Sequence, residues 1–433
     1  MARIKIITIA ILTVVFVIVG SARIKGTGSD PRGTLLVSEA ILNHGSIKLD
    51  PYGADVLQSY GYTVQNKNGH FYYYFPLGTS IASLPFVAAA NLFGLNMQRH
   101  ERALQIAIAA LTSVLTLLLL IKLARIFLTP GNALLIGSVF WFGTSLASTT
   151  GTALWSHNFA TLFALAAIYL TIKATRDQRV RLWPLISVAL FAAYLCRPTM
   201  ALLAPFLLLY FFTYQRLAAA QAALLLTACL AGFAGFSSYE FGQVLPDYYL
   251  PKRLDGSHFS EALYGNLFSP ARGFLVYSPF VLLAWLCIRA PGNFDLKKSW
   301  LLIGLAWPVL HLILISRFEH WWGGHSFGAR FMTDVLPGLF LLTLYTWPAT
   351  LKGTRDKAAA AVLALAAAFA IFVNTGQGLY NRYTAYWNGT PNIDQYPEYL
   401  FDWRYPQFLA HKKGHEERLA RHAAAHPPRA ASQ

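Results

Sequence analysis

Carboxylates and arginines stand out among the side chains with chemistry to offer, because they recur at the ends of apolar segments. Asp30 comes first, in "GSDPRG", shortly after a very apolar stretch and with Arg32 close behind. A carboxylate at a membrane surface can take the proton from a hydroxyl nucleophile. Asp30 also has a plainer use. Asp is a favoured helix N-cap and Pro suits the first helical position, so Asp30-Pro31 predicts a helix start, with Gly45 as its stop. Both uses are compatible, although a cap bond favours the ionised form and weakens the base. Leu35, Leu36, Val37, Ala40, Ile41 and Leu42, interleaved with Glu39 and Asn43, read as a short amphipathic helix that lies on the membrane.

The arginines are Arg32, Arg197 in "LCRPTM", Arg272 in "SPARGF", Arg317, and Arg330 in "FGARFM". A guanidinium fork matches phosphate oxygens. The alternative for each is an interface anchor, or an ion-pair partner for Asp334, Glu319 or Glu39. His157 in "LWSHNF" is either a packed, hydrogen-bonded residue or a contact for a sugar hydroxyl or a phosphate. His320 and His325 flank "WWGG" beside Glu319, but no helical spacing joins them and no metal site is predicted. Tyr72–Tyr73–Tyr74 and Trp321–Trp322 read as an interfacial aromatic belt or as platforms for sugar rings, with Tyr74 and Trp322 the candidates for stacking. No motif calls for a cofactor.

These residues must be positioned by membrane helices. Of 433 residues 55% are hydrophobic and 12% charged, against about 25% charged in soluble proteins. Such a chain is an all-α polytopic membrane protein. The charge of +16 then speaks of orientation and membrane lipids, and no nucleic-acid partner is expected. The three cysteines, Cys196, Cys229 and Cys287, have no spacing that implies a disulfide or zinc site. Apolar segments fall at 5–21, 103–121, 132–149, 157–173, 182–196, 199–214, 217–238, 273–289, 300–316, 331–349 and 358–374. The first reads as a retained helix and not as a signal peptide, because many more follow. Segment 79–95 holds Pro85 and is short for a span.

If 79–95 does not cross, the basic connections all fall on one side. They carry Arg3 and Lys5; Lys122 and Arg125; Lys173, Arg176, Arg179 and Arg181; Arg216; Arg289, Lys297 and Lys298; and Lys352, Arg355 and Lys357. The positive-inside rule therefore predicts about eleven spans, a cytoplasmic N-terminus and an interfacial or re-entrant 79–95. The long polar loops, Ser21–Arg102, Gln243–Arg272 and Arg317–Arg330, then gather outside. The expected organisation is a membrane domain over 1–374, which includes the large first outer loop 21–102 with its juxtamembrane helices. An outer strap follows over 375–410, then a flexible tail over 411–433. "NGT" at Asn388 matches a glycosylation acceptor pattern.

"GSDPRGTLLVSEAILNHG" in the first outer loop, "FYYYFPLGTSIASLPFVAAANLFG" with its Pro-Leu-Gly, and the span ending "LLLLIKLARIF" together resemble GT-C glycosyltransferases. These include protein O-mannosyltransferases and lipid A aminoarabinose transferases. "ALWSHNFATLFALAAIYL", "YGNLFSPARGFLVYSP" and "WWGGHSFGARFMTDVLP" are similar to segments of bacterial polyprenyl-phosphate-dependent transferases. Where many protein mannosyltransferases carry Asp-Glu, this chain has Asp30-Pro31. The resemblance implies inverting transfer of a sugar from a polyprenyl-phosphate donor to a hydroxyl of a glycan, lipid or protein. Asp30 would be the base, and Arg32, Arg197, Arg272, Arg330, His157, Tyr74 and Trp322 would hold donor phosphate or sugar. The metal-dependent oligosaccharide transferases of the superfamily use several carboxylates. No such acidic cluster is visible here, so metal-independent transfer is expected. The expected setting is a bacterial inner membrane, with the site facing the periplasm. The competing readings are a transporter or flippase of lipid-linked sugars, for which repeated halves are missing, and an O-antigen ligase or polymerase, whose large loop lies in the second half.

Overall fold

The structure is a computed structural model that describes residues 2–287, 298–346 and 353–426. Arg289, Lys297, Lys352 and the tail beyond 426 lie outside the described residues. The chain is mostly helical, as apolar segments in lipid must be, because a helix satisfies every backbone polar group within itself. In the first part of the chain, α1 (Ala2–Ser21), α2 (Thr34–His44), α3 (Gly78–Leu92), α4 (Met97–Ala124) and α5 (Pro130–Phe142) are followed by α6 (Ser156–Arg176), α7 (Trp183–Cys196), α8 (Leu203–Tyr214) and α9 (Arg216–Phe241). Further on come α10 (Phe259–Phe268), α11 (Pro279–Cys287), α12 (Lys298–Ile315), α13 (Leu336–Thr346), α14 (Thr354–Ile371), α15 (Arg382–Gly389) and α16 (Lys412–Ala425). A hairpin of β1 (Val64–Lys67) and β2 (His70–Tyr73) stands in the first loop, with Val64 paired to Tyr73 and Lys67 to His70.

Among the described residues, 5 helices are long and apolar enough to cross a membrane. They are α1, α4, α6, α9 and the continuous helical stretch Asp356–Tyr380. Helix α6 is mostly buried and α1 mostly exposed, so α6 is central and α1 peripheral. Segments 132–149, 182–196 and 199–214 form shorter helices. Segment 199–214 opens as a tight turn over Pro198–Leu202, and 273–289 breaks at Ser278 before α11. Proline at a helix start explains both breaks, since it has no N–H to continue a preceding helix. Helices α6 and α7 pack along one another, α2 lies on α3, and α12 on α13. At the last crossing, a Cβ on Gly304 would lie 3.0 Å from the Gly338 carbonyl oxygen, so small residues let the two backbones touch.

Two expectations are corrected. Helix α2 does not start at Asp30-Pro31. Its N-cap is Gly33, in the left-handed region at φ 97°, and the Gly33 and Leu35 N–H groups donate to Glu101 Oε1 at 2.8 and 3.0 Å. The capping carboxylate therefore comes from α4, which frees the Asp30 side chain; the stop at Gly45 (φ 64°) is as expected. Nor does α2 lie on the surface, because Thr34–Ala40 are all buried between α3 and α4. Within the tail segment, Lys412–Ala425 form α16, whose Arg418 is buried, stacks on Trp387 at 4.1 Å and donates to the Trp387 carbonyl. Burial lowers the Arg418 guanidinium to about 10.

Helix α3, over segment 79–95, has 15 residues, which is about 22 Å of helix and short of a hydrocarbon core of about 30 Å. Its end leaves Leu92 and Phe93 exposed. Its first residue, Gly78, sits against the end of α7, where an added Cβ would lie 2.3 Å from the Cys196 nitrogen.

Candidate active site

The segment around Asp30 is tied down by its backbone. Gly26 N–H donates to the Thr152 carbonyl at 3.0 Å. The Tyr73 hydroxyl donates to the Asp30 carbonyl at 2.5 Å, and Gln105 Nε2 to the Pro31 carbonyl at 2.9 Å. Together with the Glu101 cap, these bonds fix the backbone on both sides of Asp30. The Asp30 side chain accepts from the Tyr62 hydroxyl at 3.0 Å and from Arg330 Nη2. The Asp30 side chain is 25% exposed and that of Arg330 10%, so the pair is open on one side.

Arg330 opens the tight turn Arg330–Val335 that leads into α13. Its guanidinium lies 4.0 Å over the Trp155 ring, its Nη1 donates to the Gly323 carbonyl at 3.3 Å, and its Nε donates to His157 Nε2 at 3.4 Å. Because His157 Nε2 accepts there, the imidazole proton belongs on Nδ1, which donates to Asp334 Oδ1 at 2.7 Å. Asp334 Oδ2 takes Arg197 Nε at 2.6 Å and the Thr199 hydroxyl at 2.8 Å. Arg197 Nη1 reaches Ser156 Oγ at 3.1 Å. The result is a chain of ion pairs and hydrogen bonds, Asp30–Arg330–His157–Asp334–Arg197, drawn from the first loop, α6, the α7–α8 junction and the turn before α13. His157 and Asp334 are fully buried, where an unpaired charge would be costly.

Burial pushes the Asp30 carboxyl up. The Arg330 charge, hydrogen bonds from Arg330 and Tyr62, and the more distant Arg197 outweigh it and hold the group below its ordinary value. Tyr62 is raised to about 12, mainly by burial and then by the Asp30 charge, so it stays a donor.

Four of the residues singled out in the sequence therefore meet: Asp30, Arg330, His157 and Arg197. The others lie apart from this chain. The Arg32 guanidinium lies 4.5 Å from the Tyr60 ring centre and donates to Ser59. Tyr74 accepts from Arg253 Nη2 at 2.6 Å, in a cluster with Phe75 and Tyr248 that touches Tyr62. Arg317 lies over Phe259. Arg272 is a buried hub. Its Nε donates to the Trp322 carbonyl, Nη1 to Ala271 and Gln407, and Nη2 to Gly324 and Asn388. Burial lowers it to about 10. Trp321 and Trp322 are buried under the segment after α14, packed with Trp387, Ile393 and Leu400, and Trp322 Nε1 donates to Asp394. The Asn388 side chain is buried and hydrogen-bonded to Arg272, Gln407 and Ser326, which leaves no free amide for a glycan. His325 pairs with Asp394 at 3.3 Å, and His320 lies 4.0 Å from Glu319. Asp334, Thr199 and Tyr62 belong to the site but were not singled out for it. An acid inside an apolar segment, such as Asp334, is the signal that marked it.

Residues 85–239 match the family model of dolichyl-phosphate-mannose-protein mannosyltransferase. The match agrees with the GT-C resemblance and with a membrane glycosyltransferase of that type. His157 and Arg197 lie inside the matched mannosyltransferase segment, whereas Asp30 and Arg330 flank it on either side. No curated protein and no solved structure matches the chain.

Proposed function

We propose that the protein transfers a sugar, with inversion, from a polyprenyl-phosphate donor to a hydroxyl acceptor at the outer face of a bacterial inner membrane. The observation that carries this reading is the Asp30 carboxylate set against Arg330, with Arg197 behind it through His157 and Asp334. Such a site holds both parts the reaction needs. Asp30 takes the acceptor hydroxyl proton as the oxygen bonds to the anomeric carbon. The bond from that carbon to the phosphate oxygen breaks, and its electron pair leaves with the lipid phosphate, where guanidinium charge stabilises it. Arg330 and Arg197 fill this role. Arg272 is committed to five protein acceptors and acts as a scaffold. His157 and Asp334 orient Arg330. Arginine charge takes the place of a metal ion at the leaving group.

The test supplies purified protein with a panel of polyprenyl-phosphate sugars and membrane extract as acceptor, and follows release of free polyprenyl phosphate. Turnover is expected for the wild type with and without EDTA, and a loss of at least about a hundredfold for Asp30→Asn, the usual scale for removing a general base. Equal turnover of the two proteins would remove Asp30 from the chemistry.

A further inference from the structure

In this structure the group expected to act as base and the group expected to receive phosphate are bonded to each other. Arg330 Nη2 donates to Asp30 Oδ2, an ion pair. Its other two polar contacts are long, 3.4 Å to His157 Nε2 and 3.3 Å to the Gly323 carbonyl. The Trp155 ring at 4.0 Å fixes its plane without consuming an N–H. The guanidinium is therefore held in place by weak polar contacts and a stacked ring, and one edge is claimed by a carboxylate that is partly open to solvent.

We propose that Asp30 occupies the donor's phosphate position on Arg330 in the resting protein, so that the arriving lipid phosphate displaces the carboxylate and thereby releases the base. This inference rests on the function proposed above and adds a coupling to it. A carboxylate and a phosphate oxygen present the same acceptor geometry to a guanidinium, so they compete for one edge. While paired, Asp30 is a poor base, since the guanidinium charge stabilises its ionised form. Once Arg330 turns to the phosphate, that charge is shared with a second anion. The Asp30 carboxylate, still partly buried, then gains proton affinity at the moment the acceptor must be deprotonated. Tyr62 keeps its hydrogen bond to Asp30 throughout and so limits how far the carboxylate moves.

The experiment measures equilibrium binding of polyprenyl phosphate, without sugar or acceptor, to the full-length protein in nanodiscs. If Asp30 is an internal competitor, Asp30→Asn and Asp30→Ala bind the lipid phosphate more tightly than the wild type, on the order of tenfold for a partly exposed pair, although both lose turnover. Arg330→Gln binds it more weakly than the wild type. Unchanged or weaker binding by both Asp30 variants, alongside saturable wild-type binding, would overturn the competition and leave the transferase reading standing. Absence of saturable binding by the wild type and by both Asp30 variants would overturn both. Melting temperatures of the variants, measured without lipid phosphate, separate these outcomes from misfolding.

Discussion

At the scale of single residues, the protonation of Asp30 decides how the enzyme responds to pH. Its folded-state value lies below the ordinary one, because Arg330 and Tyr62 outweigh burial. A depressed carboxyl contributes stability that is complete above the unfolded value of about 4 and is lost only as pH falls through the lower folded value. The same sign applies to the free enzyme's base. The acid limb of kcat/KM is therefore expected below pH about 4, with a flat profile from about 5 to 8. A pH–rate series with the best donor of the panel measures it. An acid limb centred near pH 6 would point to a different base. Asp30, Arg197 and Arg330 stand out in the sequence because a carboxylate or arginine at the end of an apolar segment is conspicuous. Their partners were less so. Asp334 enters the sequence reading only as a counter-ion, and nothing in the string "GYT" marks the Tyr62 hydroxyl as a ligand of Asp30. Such pairings join residues far apart in the chain and depend on how the helices cross.

At the scale of elements, the site depends on contacts that hold the first loop against α4, α6 and α7. Helix α3 is the brace. Gly78 abuts the end of α7, and an added Cβ would also lie 2.4 Å from the Leu195 carbonyl carbon and 2.6 Å from its oxygen. Arg197 follows directly. Within a helix Ala is favoured over Gly by about 1 kcal/mol, so Gly78→Ala would stabilise α3 if packing allowed it. Because those neighbours are backbone atoms that cannot rotate away, the substitution is expected to destabilise by about 1–3 kcal/mol, the overpacking range. It should also reduce turnover by displacing Arg197. Gly232→Ala in α9, where nothing lies within 4 Å of the added carbon, is the matched control and should be neutral or stabilising. Thermal melting and turnover of the two variants check both halves of the claim. Equal behaviour would show that α3 does not brace Arg197. The sequence placed this helix at nearly the right residues, but assigned the start of α2 to the wrong acid. Asp30-Pro31 fits the capping rule, yet the rule does not see Glu101, which reaches the same N–H groups from another helix.

At the scale of the whole molecule, the loops sort into two sets by what they touch. The first loop meets the end of α9 through Tyr72–Glu240 and the segment after it through Lys67–Asp247 and Arg253–Tyr74. That segment meets the loop after α12 through the Leu254–Phe318 bridge. The loop after α12 meets the segment after α14 through Arg272 and Gln407. The short basic connections join each other instead, with Arg176 donating to the Ile126 carbonyl and Gln215 to the Ala174 carbonyl. By the positive-inside rule the basic set is expected in the cytoplasm, and Asp30 and Arg330 on the outer side. The exposed residues Asp55, in the first set, and Arg179, in the second, report on this directly. With the three native cysteines replaced by Ser, Asp55→Cys is expected to react with a membrane-impermeant thiol reagent on intact cells, and Arg179→Cys only after permeabilisation. The reverse pattern would put the site in the cytoplasm and require the donor to be used on the face where it is made, before any flipping. Labelling at both positions in intact cells would mean that the two loop sets share a side, and that the helices too short to span do not cross in the order read from the sequence.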